Sequence, residues 1–249
     1  MRLLRSLIYT TWLFLGTMLY AVLVLVLCWL PGKSLYAVAR SWSRSQLWVL
    51  KVVCGLTHTV EGAEHIIPGA HVSMWKHSSA WETIAQAEIF PPQSWVLKRE
   101  LMWIPLVGWA LHFLRPIAIN RKAGTAAVNQ VVEQGRQRLA EGFWILVFPE
   151  GTRVAAGETR KYGVSGALLA SKVGCKIVPV AHNAGEFWPR RGWLKRPGTI
   201  RVAIGPPIDA AGRDPRALND EVRAWVEKKL AIMAEESLRP EASSTTSIQ

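Results

Sequence analysis

The sequence predicts an α/β fold: a mixed, mostly parallel central sheet flanked by helices, preceded by an N-terminal hydrophobic, membrane-associated helical segment. Three observations support this. Beyond residue 55, short apolar stretches alternate with helical ones, as strands and helices in turn should. The stretch WILVF at 144–148 is apolar at every position, as expected of a central strand covered on both faces. Ser6 to Gly32 carries no charged residue, about 27 positions or roughly 40 Å of helix.

That first run is long enough to span a bilayer. A signal peptide would have a shorter apolar core ending in a small-residue cleavage site, which PGKSLY at 31–36 does not resemble. Arg2 and Arg5 precede the run, and Lys33, Arg40 and Arg44 follow it, so the positive-inside rule sets no orientation. Both flanks lie on the cytoplasmic side if the run dips into one leaflet. SLYAVARSWSRSQLWVLKVV would then lie along the interface, its tryptophans and arginines mixed as in interfacial helices. Residues 1–55 are therefore expected as the membrane-associated segment, 56–236 as the α/β domain and 237–249 as a disordered tail without periodicity.

Within the domain, strands are expected near 56–61, 70–74, 94–98, 115–119, 143–148, 176–181 and 199–204. Helices are expected near 79–90, 124–140, 163–173 and 214–235. In the last, Pro215 suits the first turn, and Leu218, Val222, Trp225 and Leu230 approximate an apolar stripe.

Half of the 249 residues are hydrophobic and the formal net charge is +12. The charge favours an anionic partner, whether nucleic acid, an acidic carrier protein or a phospholipid surface. No helix-turn-helix, zinc-finger or RNA-recognition signature is apparent, so no nucleic-acid partner is expected. Cys28, Cys54 and Cys175 form no CxxC pair, so neither a metal site nor a disulfide framework is indicated.

Residues 75–83 read WKHSSAWET, with His77 and Glu82 five positions apart. That spacing fails inside one helix, whose shared faces recur at three or four. It works if His77 lies in a turn and Glu82 in the first turn of the helix that follows. A carboxylate so placed holds the imidazole in one tautomer and stabilises the imidazolium formed as a proton is taken. Ser79 to Glu82 also reads as a capping box, in which Glu82 bonds the Ser79 amide. The two roles are compatible, since a carboxylate has two oxygens.

FPEGTR at 148–153 follows the central strand, where α/β sheets present backbone N–H groups and a guanidinium to anions. Arg153 suits a phosphate because its fork donates two bonds at once; the alternative is a solvated surface arginine. GVSGA at 163–167 nearly matches a serine nucleophile elbow, but Ala167 breaks the motif and no strand precedes it.

KHSSAWE, KREL at 98–101, RPIAINR ending at Arg121, FPEGTR and VPVAH at 178–182 resemble, in order, the motifs of the 1-acylglycerol-3-phosphate acyltransferases of bacterial type. The resemblance covers about residues 70–205. It implies a glycerophosphate acyltransferase-like fold and transfer of a fatty acyl chain to the sn-2 hydroxyl of lysophosphatidic acid, giving phosphatidic acid. It further implies acyl-carrier protein or coenzyme A thioesters as donors, no bound cofactor, and a bacterial inner-membrane location with the active site facing the cytoplasm.

Carried over by residue, the resemblance makes His77 the general base and Glu82 its orienting carboxylate. Lys98, Arg121 and Arg153 become acceptor-binding cations, with Glu150, Gly151 and Thr152 shaping the loop around the headgroup. Most members carry Asp where this chain has Glu82, and the extra methylene, roughly 1.5 Å, requires a shifted helix start or a folded-back rotamer. RKYG at 160–163 lacks the usual phenylalanine and leaves Lys161 and Tyr162 unassigned. An acyl substrate in a membrane needs an apolar channel beside a cationic cleft. LMWIPLVGW at 101–109 could line that channel, rest on lipid or be plain core. FWPRRGWLKR at 187–196 suits anionic headgroups.

Overall fold

The structure, a computed structural model, describes residues 1–238. Helices α1 (Arg2–Val26) and α2 (Gly32–Cys54) fold back on each other through the turn at 27–31. Their register is antiparallel: the Tyr20 and Ser41 hydroxyls lie 3.2 Å apart, and the Trp42 indole N–H donates to Thr17 Oγ1. Gly55, in the left-handed region at φ +66°, ends α2 and releases the chain into the sheet.

Helix α1 is long and apolar enough to cross a membrane by length and composition. Its positions divide by face: Tyr9, Ala21 and Val24 are buried, while Leu4, Phe14, Leu15 and Leu19 are exposed. The buried Lys195 fastens its polar positions, the Nζ donating to Thr10 Oγ1 at 2.5 Å and the backbone N–H to Ser6 Oγ at 3.0 Å.

The strands are β1 (Leu56–Glu61), β2 (Val72–Trp75), β3 (Gln93–Lys98), β4 (Ile117–Ile119), β5 (Trp144–Val147), β6 (Lys176–His182), β7 (Gly198–Ile204) and β8 (Ile208–Asp209). They form one sheet in the order β1-β7-β6-β2-β5-β3-β4, with β8 pairing at the start of β6. Among the described residues only β6 with β7 and β6 with β8 pair antiparallel.

Alternation along each strand builds two cores. Trp75, Trp144, Leu146 and Val180 face α3 (Trp81–Ile89) and the helical pair, so Tyr9, Leu50 and Cys54 join the same cluster as the sheet. Met74, Ile145, Val147 and Ile177 face α5 (Thr125–Ala140), α6 (Ser165–Val173) and α8 (Pro215–Leu238).

The mostly parallel, helix-flanked sheet agrees with the sequence reading, with local differences. LMWIPLVGW contains a 3-10 turn and the start of α4 (Val107–Phe113), a helix the sequence reading did not anticipate. β8 and the four-residue α7 (Ala184–Phe187) were also missed. β4 is shorter than 115–119 because Arg115, at φ +57°, bends the chain into Pro116. α3 starts two residues later than expected, since the Ser78 and Ser79 amides bond the Glu82 side chain instead. The stripe on α8 runs through Leu218, Val222, Val226 and Met233, with Trp225 and Leu230 only partly buried. α8 continues to Leu238, into the segment expected to be disordered; residues 239–249 of that expectation lie outside the described residues.

Candidate active site

Parallel pairing of Met74 with Val147 aligns the carboxyl ends of β2 and β5. The turn carrying His77 therefore emerges beside the turn carrying Phe148 to Arg153. Their backbones are joined: the Val154 amide donates to the His77 carbonyl at 2.7 Å, and the His77 amide donates to Glu150 Oε2 at 2.7 Å. The His77 ring stacks on Phe148 with centroids 4.0 Å apart and planes at 17°.

Residue 77 lies outside α3 and residue 82 within its first turn, so the five-residue spacing closes across the helix start. His77 Nδ1 sits 2.9 Å from Glu82 Oε1. A carboxylate accepts only, so Nδ1 carries the proton and Nε2 is left as the basic nitrogen. The same Oε1 accepts from the Ser78 amide at 2.9 Å and the Ser79 amide at 2.8 Å. Capping and orientation thus coexist, but through one oxygen and not through two as the sequence reading supposed. The added methylene is accommodated by the later helix start and by the side chain folding back over residues 77–79.

Glu82 is fully buried. Burial alone raises its carboxyl. The facing His182 imidazole, the bond from His77 and the Ser79 amide outweigh that and hold it below the usual carboxylate range. A depressed value in the folded state adds stability above the ordinary carboxylate pKa, and that contribution is lost as pH falls through the depressed value. The urea midpoint of the wild-type protein minus that of Glu82→Gln should therefore shrink as pH drops from neutrality to below about 4. A difference that stays constant would contradict an ionised Glu82.

His77 opens onto a cavity of about 450 Å³. Lys98, Arg121 and Arg153 line it together with His77, and Val24, Ala39, Leu101, Ile104 and Leu111 are among its apolar lining side chains. LMWIPLVGW thus does two things: Leu101 and Ile104 line the cavity while Trp103 and Trp109 are exposed. Arg121 also donates to the Gly151 carbonyl, which the left-handed turn at Gly151 (φ +67°) turns toward it. Burial lowers the Arg121 pKa without threatening its charge.

Glu150, Gly151 and Thr152 do not line the cavity. Glu150 departs most from expectation, because its Oε1 takes Lys76 Nζ at 2.6 Å and its Oε2 the His77 amide, so both oxygens are spent on the protein. Burial keeps its carboxyl above the usual range even beside Lys76. It supports the histidine turn, and no free oxygen is left to meet a ligand. Ser165, of the near-elbow, opens α6 after an irregular segment and not after a strand.

Residues 57–183 match the family model described as Acyltransferase. The chain belongs to the acyltransferase family. This acyltransferase is 44% identical to the 1-acyl-sn-glycerol-3-phosphate acyltransferase of Pseudomonas aeruginosa, over 81% of this chain and 80% of the relative. It is 28% identical to the human 1-acyl-sn-glycerol-3-phosphate acyltransferase alpha, over 82% of this chain and 73% of that one. The crystal structure of the Thermotoga maritima 1-acyl-sn-glycerophosphate acyltransferase, PlsC, superposes with a TM-score of 0.78, covering 96% of this chain and 98% of that one. At 22% identity that likeness is one of fold.

Two residues of this acyltransferase's site escaped the sequence reading. Lys76 balances Glu150, and His182, fully buried at the end of β6, donates from Nε2 to the Lys76 carbonyl at 2.8 Å. A signal existed for His182, since a histidine closing the apolar run VPVAH must find partners inside.

Proposed function

We propose that this acyltransferase moves a fatty acyl chain from an acyl-carrier-protein or coenzyme A thioester to the sn-2 hydroxyl of 1-acylglycerol-3-phosphate, forming phosphatidic acid. The observation that carries the reading is one cavity lined by the histidine of a His–Glu dyad, by three cations and otherwise largely by apolar side chains. His77 Nε2 takes the hydroxyl proton as the oxygen attacks the thioester carbonyl. The new C–O bond forms, the C–S bond breaks, and the proton passes from the imidazolium to the departing thiolate. Glu82 stabilises that imidazolium throughout. Arg153, Arg121 and Lys98 hold the phosphate, and the apolar lining takes acyl chain.

The proposed setting is the inner membrane of a bacterium, with the site facing the cytoplasm, where water-soluble thioester carriers reach it. The exposed apolar face of α1 and the exposed indoles of Trp29, Trp48, Trp103, Trp109 and Trp193 favour a bilayer surface. Arg190, Arg191 and Arg196 flank Trp193 and suit anionic headgroups.

Purified protein given lysophosphatidic acid and either thioester should yield phosphatidic acid, and no product with both donors would overturn the proposal. In the same assay Arg153→Ala should raise the KM for lysophosphatidic acid about 10- to 100-fold while kcat stays near normal, the loss expected for one charge-assisted contact to a phosphate. A kcat defect with unchanged KM would remove Arg153 from the acceptor site.

A further inference from the structure

The carboxylate of Glu82 is used unevenly. Oε1 accepts three hydrogen bonds, whereas Oε2, equally enclosed, accepts none among the described residues. An enclosed carboxylate oxygen left without a donor is costly, so its persistence requires a cause. The group facing it is His182, whose Nε2 lies 3.9 Å away, beyond hydrogen-bonding distance.

His182 is held from all sides. Its Nε2–H donates to the Lys76 carbonyl at 2.8 Å, and its Nδ1 accepts from the Ala184 amide at 3.3 Å. The indoles of Trp75 and Trp81 flank the ring, with centroids 6.3 and 5.9 Å from it. One nitrogen donating and the other accepting is the pattern of a neutral imidazole, and burial depresses its basicity further. The ionisable groups around it are Glu82, His77 and Lys76, the last already paired with Glu150.

We propose that His182 is a positioning residue for the His77–Glu82 dyad, acting on both partners at once. By holding the Lys76 carbonyl it fixes the backbone unit immediately before His77. By standing against Oε2 as a neutral wall it prevents the carboxylate from turning Oε1 away from Nδ1. This role rests on His77 being the general base of the proposed reaction.

Three replacements test it. His182→Phe keeps a ring and removes the donor, His182→Gln can still donate to the Lys76 carbonyl, and His182→Asn is too short to reach it. We expect kcat to fall about 10- to 100-fold in the Phe and Asn variants, the range for groups that orient a catalytic ligand, with KM for lysophosphatidic acid within about twofold. The Gln variant should recover most of kcat. In the slow variants the acid limb of kcat/KM should move to lower pH, because a loosened Glu82 supports the His77 imidazolium less well. The downfield Nδ1–H proton resonance of His77 should disappear with it.

A Phe variant with wild-type kcat and an unmoved acid limb would overturn the assignment. If the Phe variant does not fold, equal rates for Gln and Asn would overturn it just as well, since packing alone does not distinguish the reach of the two amides. A fully active His77→Ala would sink the dyad itself. A slow His77→Ala beside an unaffected His182→Phe would sink only this role.

Discussion

His77→Ala is expected to lose acyl transfer by about 10²- to 10⁴-fold, the contribution of a positioned general base, with little change in the fold. The imidazole stacks on Phe148 and bonds Glu82, and its side chain is only 12% exposed, so its removal enlarges an existing cavity that it already lines. The backbone of residue 77 stays fixed by Glu150 and Val154, neither of which involves the ring. KM for lysophosphatidic acid should therefore hold while kcat collapses. Steady-state kinetics with circular dichroism on the same preparation check both halves, and a variant retaining more than a tenth of wild-type kcat would refute proton removal by this residue.

Breaking the buried ion pair beneath the histidine turn should cost more stability than any other single change described above. Lys76→Met leaves the Glu150 carboxylate enclosed without its cation, and removal of one member of such a pair typically costs about 3–5 kcal/mol. The geometry supports the upper part of that range, since the side chains of Lys76 and Glu150 are 6% and 1% exposed and 2.6 Å apart. The double variant Lys76→Met with Glu150→Gln should regain most of the loss, because a neutral amide can still accept from the His77 amide. Urea midpoints of the two single variants and the double one test this; equal destabilisation in Lys76→Met and in the double variant would mean that the stranded charge is not the cause.

Much of the site was legible because its parts are local. The capping pattern at Ser79 to Glu82 and the histidine just before it contain the dyad, whose geometry needs only a turn followed by a helix. Arg121, Arg153 and Lys98 were legible as cations in the family's motifs, and all three line the one cavity onto which His77 opens. What was hidden depends on register. The two acidic residues singled out in the motifs look chemically alike, and only the pairing of Met74 with Val147 turns Glu150 toward Lys76 and away from the cavity. α4 was hidden because one of its sides lines the cavity while Trp109 is exposed, so the contrast between faces that marks a helix is missing. β8 is two residues long, and its pairing with Lys176 and Ile177 leaves no local mark.

The first two helices are more than a tether. Thr17, Tyr20, Ala21 and Val24 of α1 and Val38, Ala39 and Trp42 of α2 form one side of the cavity, and Tyr9 and Leu50 complete the core under the sheet. A shortened protein starting at residue 56, made for easier handling, would thus have this cavity open along its flank and a bared indole floor. For this enzyme the helix long and apolar enough to cross a bilayer is also part of the vessel for the chemistry, and neither can be cut away without the other.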